Sequence, residues 1–507
     1  MRITGIRAPL AIAVFAVTVL HSGCTQKEEN NVQTESTGTT APANAGLKIP
    51  ITTKSEEAKN EFLQGRTLSE KLLAQDSIQH YQKAVTLDPN FALAELGLAN
   101  TAPTAKEFFD HLNKAVSLAD SAASDGERLL ILATEAGASG NVPKQKEYLD
   151  QLVAAYPDDE RAQFNLGGYY FGQQDYASAI DHYKKATELA PEYSPAYNIL
   201  GYAYRQNADY ANAEESFKKY IQLIPNDPNP YDSYGELLLK MGRFDDSIAQ
   251  YRKALAIDPN FIPSHQGIAM DLLYAGKSAE ATAELKNITT KARNDGERRT
   301  ALFAQTIVDA DGGKMDKALQ DVDQQYALGE KTNDVPAMAG DFQLKGNLQL
   351  EMGKADAAAS SFDKALKMTE SSNLSAKIKE NTRLFDHNNR GRVALAKKDL
   401  ATAKKESDEF MKGAQASGNP ALVKTAHDLA GSIALEQKDY DGVLAELQQG
   451  NQQNPYMLYN QCLAFQGKGD SAKASEMCEK AADFNSLPVL NYAFVRTKAK
   501  AVAGVKK

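Results

Sequence analysis

The chain has 507 residues, with 57 lysines and arginines against 66 aspartates and glutamates and a formal net charge of −9. This acidic balance argues against a nucleic-acid partner, because binding a polyanion requires clustered positive charge. The chain has no tryptophan and no run of alternating β-branched residues. Both observations favour an all-helical chain over a β-sheet protein.

The first 23 residues have the pattern of a cleaved signal peptide. Arg2 and Arg7 precede a short apolar run over residues 8–20, which is too short to span a membrane. The run ends in Leu20-His21-Ser22-Gly23-Cys24, which resembles a bacterial lipoprotein signal.

The resemblance implies that Cys24 receives a lipid after cleavage, although His21 stands where an aliphatic residue is usual. Thr25 follows the cysteine, where an aspartate would imply retention at the inner membrane. We therefore expect a cell-envelope protein, anchored by its lipid in the outer membrane and facing the periplasm. The alternative is an ordinary secreted protein with a chance cysteine.

Residues 24–50 are predicted to be the lipidated cysteine and a flexible tether. Residues 25–48 are rich in Thr, Asn, Glu, Gly and Ala and nearly lack apolar bulk. A coil of that length spans roughly 27 Å. The tether would hold the remaining chain away from the bilayer.

A period of 34 residues dominates the next part of the chain. Small and aromatic residues recur in register before each proline, as in Gly201, Ala213 and Phe217. This pattern predicts two amphipathic helices per unit that approach closely where side chains are small, with proline ending the second. The prolines at this spacing are Pro157, Pro191, Pro225 and Pro259, with Pro89 two periods upstream.

These residues resemble the tetratricopeptide repeat, a helix–turn–helix unit of this period. The resemblance implies an all-α, right-handed superhelix of roughly eleven or twelve units. We place a first array at residues 51–293, a second array with looser register at 294–487, and a capping helix with a basic tail at 488–507. Longer spacings near 370–385 and 411–420 suggest longer helices or loops in the second array.

Two near-copies, Ser124-Asp125-Gly126-Glu127 and Asn294-Asp295-Gly296-Glu297, stand 170 residues apart, or five periods. Each fits a capping box, in which Ser124 or Asn294 accepts from the helix backbone and the glutamate reaches back. Both are therefore predicted to begin helices.

Cys462 and Cys478 fall in one repeat, at the small-residue position of its first helix and at the place that Phe217 has in its own repeat. These positions face each other, and the periplasm is oxidising, so a disulfide is favoured. Two buried free thiols are the alternative. The basic residues of the final helix suggest a cap for the solenoid, with contact to lipid headgroups or nucleic acid as the alternative.

No catalytic, cofactor-binding or metal-binding motif is apparent. The seven histidines are scattered singly, and HExxH, GxSxG, P-loop and dinucleotide fingerprints are all absent. We therefore expect a non-catalytic protein without cofactor or metal.

The resemblance implies a protein–protein interaction scaffold that holds an extended peptide or a helix of a protein partner in its concave groove. Alternatives are an accessory lipoprotein for envelope assembly or substrate binding beside membrane or peptidoglycan enzymes, and, more remotely, a hydrolase with a dispersed site. Packing between repeats is the alternative role for the groove aromatics. The groove positions implied for this chain are Phe164, Phe171, Asn198, Tyr202, Arg205, Asp232, Glu236, Gln266, Met270 and Tyr274.

Overall fold

The computed structural model describes residues 46–71 and 73–503, and it is built from helices. The signal peptide, Cys24 and most of the predicted tether lie outside these residues. The 25 helices of the described ranges are α1 Glu56–Glu70, α2 Ala74–Leu87, α3 Ala92–Thr101, α4 Ala105–Ala122, α5 Asp125–Ser139, α6 Val142–Ala155, α7 Glu160–Gln173, α8 Tyr176–Leu189, α9 Ser194–Gln206, α10 Tyr210–Leu223, α11 Asn229–Lys240, α12 Phe244–Ile257, α13 Ile262–Tyr274, α14 Ser278–Lys291, α15 Asp295–Asp311, α16 Met315–Thr332, α17 Val335–Glu351, α18 Ala355–Ser371, α19 Ala376–Ala396, α20 Leu400–Ala416, α21 Pro420–Glu436, α22 Tyr440–Gln449, α23 Pro455–Gly467, α24 Ser471–Ala482 and α25 Leu490–Ala503.

Helices α1 to α24 form twelve consecutive helix pairs, and α25 follows alone. Pair 1 consists of α1 and α2, and pair 12 consists of α23 and α24. No strand occurs in the described ranges. The predicted all-α solenoid and its number of units are therefore confirmed.

Pairs 8 to 10 explain why the 34-residue register weakens along the sequence. Their helices, α15 to α20, contain 17 to 21 residues, whereas those of pairs 4 to 7 contain 12 to 14. Each added turn lengthens the period without changing the pairing of the helices. The second array therefore continues the first with longer units.

The capping boxes differ between the two near-copies. Ser124 accepts from the Glu127 backbone, and Glu127 accepts from the Ser124 backbone, so the first box is complete. Asn294 accepts from the Glu297 backbone at 2.9 Å. The Glu297 carboxylate instead accepts from the backbone of Arg293, one residue earlier.

Aromatic rings packed on glycines join the two helices of a pair and also join neighbouring pairs. The fully buried Tyr251 ring of α12 lies between Gly235 of its own pair and Gly267 of the next. A Cβ atom added at these glycines would lie 2.9 Å and 2.2 Å from the ring. Tyr81 has the same arrangement between Gly65 and Gly97. The glycines that the period places opposite aromatics are therefore close-approach positions.

Gly267→Ala is expected to lower the free energy of unfolding by about 1–3 kcal/mol, because the methyl group would overlap Tyr251. Gly172→Ala is the matched control within α7, since no atom lies within 4 Å of its added Cβ. It should raise stability by about 0.5–1 kcal/mol through helix propensity. Urea denaturation followed by circular dichroism measures both, and equal effects at the two positions would contradict the packing.

Successive turns of the superhelix touch each other. Three hydrogen bonds each join a pair to the pair seven places later. The Ala105 N–H donates to Asp334 at 3.0 Å, the Asn381 amide donates to the Ser139 carbonyl at 3.0 Å, and Lys424 donates to the Gln174 side chain at 2.6 Å. About seven pairs therefore complete one turn of the superhelix, and the following turn contacts it.

The chain before α1 is held against the solenoid from residue 46 onward. Gly46 donates its N–H to Asp158 in front of α7, and Thr53 donates its hydroxyl to Asp88 in front of α3. The prediction of a free tether up to residue 50 is therefore wrong for residues 46–50, because polar groups at the turns between pairs bind them.

Candidate functional site: the inner face of pairs 4 to 8

The ten predicted groove residues lie on α7, α9, α11 and α13, the first helices of pairs 4 to 7. To line an open groove, these residues must be partly exposed, and most of them are not. Only two of them, Phe164 and Arg205, are partly exposed. The other eight are buried, namely Phe171, Asn198, Tyr202, Asp232, Glu236, Gln266, Met270 and Tyr274.

In pairs 5 and 6 several of these side chains contact one another or the next pair. Arg205 lies 3.5 Å from the Glu236 carboxylate, and its guanidinium lies 4.7 Å from the centre of the Tyr202 ring. Asp232 accepts a hydrogen bond of 2.8 Å from Ser264 in the next pair. Burial raises the pKa of Tyr202 well above its ordinary value, so this phenol stays neutral. Several of the predicted residues therefore lie close together, but the groups that they contact belong to this chain.

In pairs 6 to 8 the C-terminal segment covers the inner face. The Tyr274 hydroxyl donates to the Ser486 carbonyl at 2.6 Å. The Tyr274 ring packs edge-on against Tyr492 at 5.2 Å, and the Arg496 guanidinium lies 5.4 Å from its centre. Tyr274 therefore does contact a helix through this face, and that helix is α25.

A buried ion pair fixes α25 to α15. Arg496 donates through Nε and Nη2 to the two carboxylate oxygens of Asp311, at 2.7 and 2.5 Å. Both side chains are less than a tenth exposed. A two-point arginine–carboxylate contact sets position and angle together, so α25 has one register on the solenoid.

Apolar contacts surround this ion pair. Residues of α25 belong to a large apolar cluster that also contains Met270, Leu273 and Ile307. The buried members of α25 are Leu490, Tyr492, Ala493, Phe494, Val495, Arg496 and Ala499. The helix is thus buried on most of its circumference against the inner face, whereas its basic residues suggested a cap for the solenoid. The run of apolar residues at 492–495 is the signal that predicts such burial.

The segment before α25 is anchored by a partly buried lysine. Lys240 donates to the Phe484 carbonyl at 2.6 Å, and its ammonium lies 4.0 Å from the centre of the Phe484 ring. Burial lowers the pKa of Lys240 to about 7. Residues 484–503 therefore occupy the inner face as an amphipathic helix occupies a groove, with aromatic, aliphatic and ionic contacts.

Cys462 and Cys478 are joined by a disulfide, with Cα atoms 5.2 Å apart. Both residues are fully buried within the cluster that holds α25. The bond links α23 to α24 beneath the C-terminal helix. It stabilises the pair that supports α25.

The six histidines of the described ranges have a structural arrangement in common. In each, Nδ1 contacts a glutamate or glutamine oxygen on the other helix of the same pair. His427, for example, lies 2.8 Å from Glu446. Within the same ranges, no three His, Cys, Asp or Glu side chains converge as metal ligands would.

None of the helices that the structure describes combines the length and hydropathy needed to cross a lipid bilayer.

Comparison with family models identifies three sets of tetratricopeptide repeats. The matches cover residues 132–194, residues 194–227 together with 342–372, and residues 228–261. A comparison with curated protein sequences finds no match.

Comparison with solved structures finds partial matches. A tetratricopeptide repeat protein from Parabacteroides merdae is 14% identical, with 65% of this chain and 98% of that chain covered and a TM-score of 0.32. A thermophilic TPR protein of Thermus thermophilus is 22% identical, covering 43% and 99%, with a TM-score of 0.29. The MamA protein is 23% identical, covering 33% and 91%, with a TM-score of 0.28.

Tetratricopeptide repeats are scaffolds for protein–protein interaction. Residues 132–261 and 342–372 of this chain are tetratricopeptide repeats, set within a solenoid of twelve helix pairs.

Proposed function

We propose that this chain is a non-catalytic scaffold of the bacterial cell envelope that holds a helical or extended segment of a protein partner. The observation that carries the proposal is the set of contacts by which the inner face binds α25. The inner face of pairs 6 to 8 already binds a helix through an aromatic pair, an ion pair and an apolar floor.

The chemistry of these contacts defines the class of segment that this face recognises. Tyr492 and Arg496 stand four residues apart and therefore share one face of α25. Asp311 selects the arginine, and Tyr274 contacts both side chains. A partner helix with an aromatic residue and an arginine at this spacing is the expected ligand, and it competes with α25 for the face.

Crosslinking in cells, followed by affinity purification of the full-length chain from solubilised envelopes, tests the scaffold role. A protein partner should be recovered in near-stoichiometric amount and should crosslink to residues of α11, α13 or α15. Arg496→Lys is the informative variant, because lysine keeps the charge but loses the two-point contact with Asp311. A partner that competes with α25 should be recovered in larger amount with this variant, and unchanged recovery would place the partner elsewhere.

The envelope location rests on the resemblance of residues 1–24 to a lipoprotein signal, and it has its own test. Cys24→Ser should release the protein from the membrane fraction or leave the precursor uncleaved. Thr25→Asp is the matched control, because it keeps the lipid and should move the protein to the inner-membrane fraction. Unchanged fractionation and N-terminal mass in Cys24→Ser would remove the anchor from the proposal.

A further inference from the structure

Residues 46–54, which we call the strap, lie outside helices and strands and run across the turns in front of pairs 2, 3 and 4. We call this side of the solenoid the front edge. The strap crosses it against the order of the pairs, from Asp158 in front of α7 to Asp88 in front of α3. The first described residue, Gly46, therefore lies at pair 4, and not at pair 1.

Besides Asp158, which accepts the Gly46 N–H, three carboxylates of the front edge hold the main chain of the strap. Asp159 accepts the Ile49 N–H at 2.8 Å, and Glu127 accepts the Thr52 N–H at 2.7 Å. Asp88 accepts the Lys54 N–H at 3.1 Å. Main-chain amides are present in any peptide, so these contacts recognise an extended backbone.

Each of these carboxylates also serves its own helix pair. The second oxygen of Asp159 caps α7, and that of Glu127 completes the capping box of α5. Asp88 accepts the Asn90 N–H at 3.1 Å through one oxygen in the turn before α3, and its other oxygen accepts from the strap. The acceptors are therefore fixed in place by the fold before any peptide arrives.

Side chains of the strap add selectivity. Ile49 and Ile51 pack against two apolar clusters of the solenoid, the first in pairs 3 and 4 and the second in pairs 1 to 3. Lys48 donates to the Asp158 carbonyl at 2.7 Å and to the Glu160 carboxylate at 2.6 Å. The surface thus fits a peptide with a lysine followed by aliphatic residues at alternate positions.

Two of these carboxylates have counterparts 170 residues later in the chain. A side chain of this protein occupies those counterparts. Asp258 and Glu297 correspond to Asp88 and Glu127 at that spacing. There, the guanidinium of Arg293 donates to Glu297 at 2.8 and 3.1 Å and is attracted by Asp258. An arginine side chain thus occupies the later copy, whereas a peptide occupies the earlier one.

We propose that the front edge of pairs 2 to 4 is a binding site for an extended peptide with the pattern lysine, aliphatic, any residue, aliphatic, and that the strap is its resident ligand. A second peptide of the same pattern binds when the strap is released. The inference is independent of the envelope location and of the partner of the inner face.

Hydrogen exchange on the full-length chain tests the resident ligand. The amides of Ile49, Thr52 and Lys54 should exchange at least about tenfold more slowly than in an unstructured chain. In Glu127→Gln the amide oxygen still caps α5, while its NH2 group faces the Thr52 N–H, so this protection should be lost. Glu297→Gln is the matched control and should leave the strap protected. Unprotected amides at residues 49–54 in the wild-type chain would overturn the proposal.

A labelled peptide of residues 46–55 tests the site itself. The full-length Ile49→Asp/Ile51→Asp variant should release its strap and bind the peptide at least about tenfold more tightly than the wild-type chain, whose strap competes at high effective concentration. A peptide with the same two substitutions should not bind. If the helicity of the variant is unchanged and it binds the peptide no better than the wild type, the edge is not a peptide site.

Discussion

Replacing Arg496 with alanine is expected to lower the free energy of unfolding of the C-terminal half by about 3–5 kcal/mol. The substitution leaves Asp311 buried without the only arginine that pairs with it among the described hydrogen bonds. It also removes the cation beside Tyr274. Hydrogen exchange of the α15 amides, followed over a urea series, measures the loss where it occurs.

Two controls separate the buried pair from general effects of charge. Lys498 of the same helix pairs with Glu351 but is about half exposed, so Lys498→Ala should cost less than about 1 kcal/mol. Arg496→Leu combined with Asp311→Leu should recover most of the stability, because apolar side chains of similar volume replace a buried ion pair at little cost. A loss in Arg496→Ala no larger than that in Lys498→Ala would show that α25 is not held by this pair.

The repeat itself could be predicted because its determinants are local. Gly201 contacts Phe217 and Gly235 contacts Tyr251 within single pairs, only 16 residues apart. Such contacts recur at a fixed period, so spacing alone reveals them. Where the helices lengthen in pairs 8 to 10, the helices still pair but the 34-residue period is lost. This loss explains the looser register of the second array.

The candidate site could be predicted only in part, because its environment is set by distant contacts. Tyr202 and Arg205 share a face, as their spacing predicts, and so do Met270 and Tyr274. Sequence periodicity does not report the pitch of a superhelix, and the contacts between turns join residues more than 200 positions apart. Tyr274 is buried by contacts with Ser486 and Tyr492, and no residue near position 274 in the sequence predicts these contacts.

Asp428, in a helix of the second array, is a buried carboxyl group that, unlike Asp311, accepts its hydrogen bonds from neutral groups. Asp428 of α21 accepts hydrogen bonds from the Asn451 backbone at 2.8 Å and from the Asn454 amide at 3.3 Å. Among the described residues no cation donates a hydrogen bond to Asp428, and its burial outweighs the attraction of Lys424. Burial raises the pKa of this carboxyl group to about 8.

The sign of the resulting pH dependence follows from proton linkage. The unfolded carboxyl group ionises near pH 4, whereas the folded one keeps its proton up to about pH 8. Between these values the unfolded state gains from ionisation and the folded state does not. The stabilising contribution of Asp428 is therefore complete below about pH 4 and falls as the pH rises, by about 1 kcal/mol per pH unit.

Asp428→Asn is expected to remove this dependence, since the amide does not ionise. At pH 8 the variant should be more stable than the wild type by about 2–4 kcal/mol, and the difference should shrink to near zero by about pH 4. Asp408→Asn is the matched control, because that carboxylate is exposed and its pair with Lys404 is a surface one, so its curve should stay parallel to that of the wild type. Thermal or urea unfolding from pH 4 to 8 measures all three proteins. A variant that is less stable than the wild type at pH 8 would mean that Asp428 is ionised in the folded chain and that its two hydrogen bonds outweigh its burial.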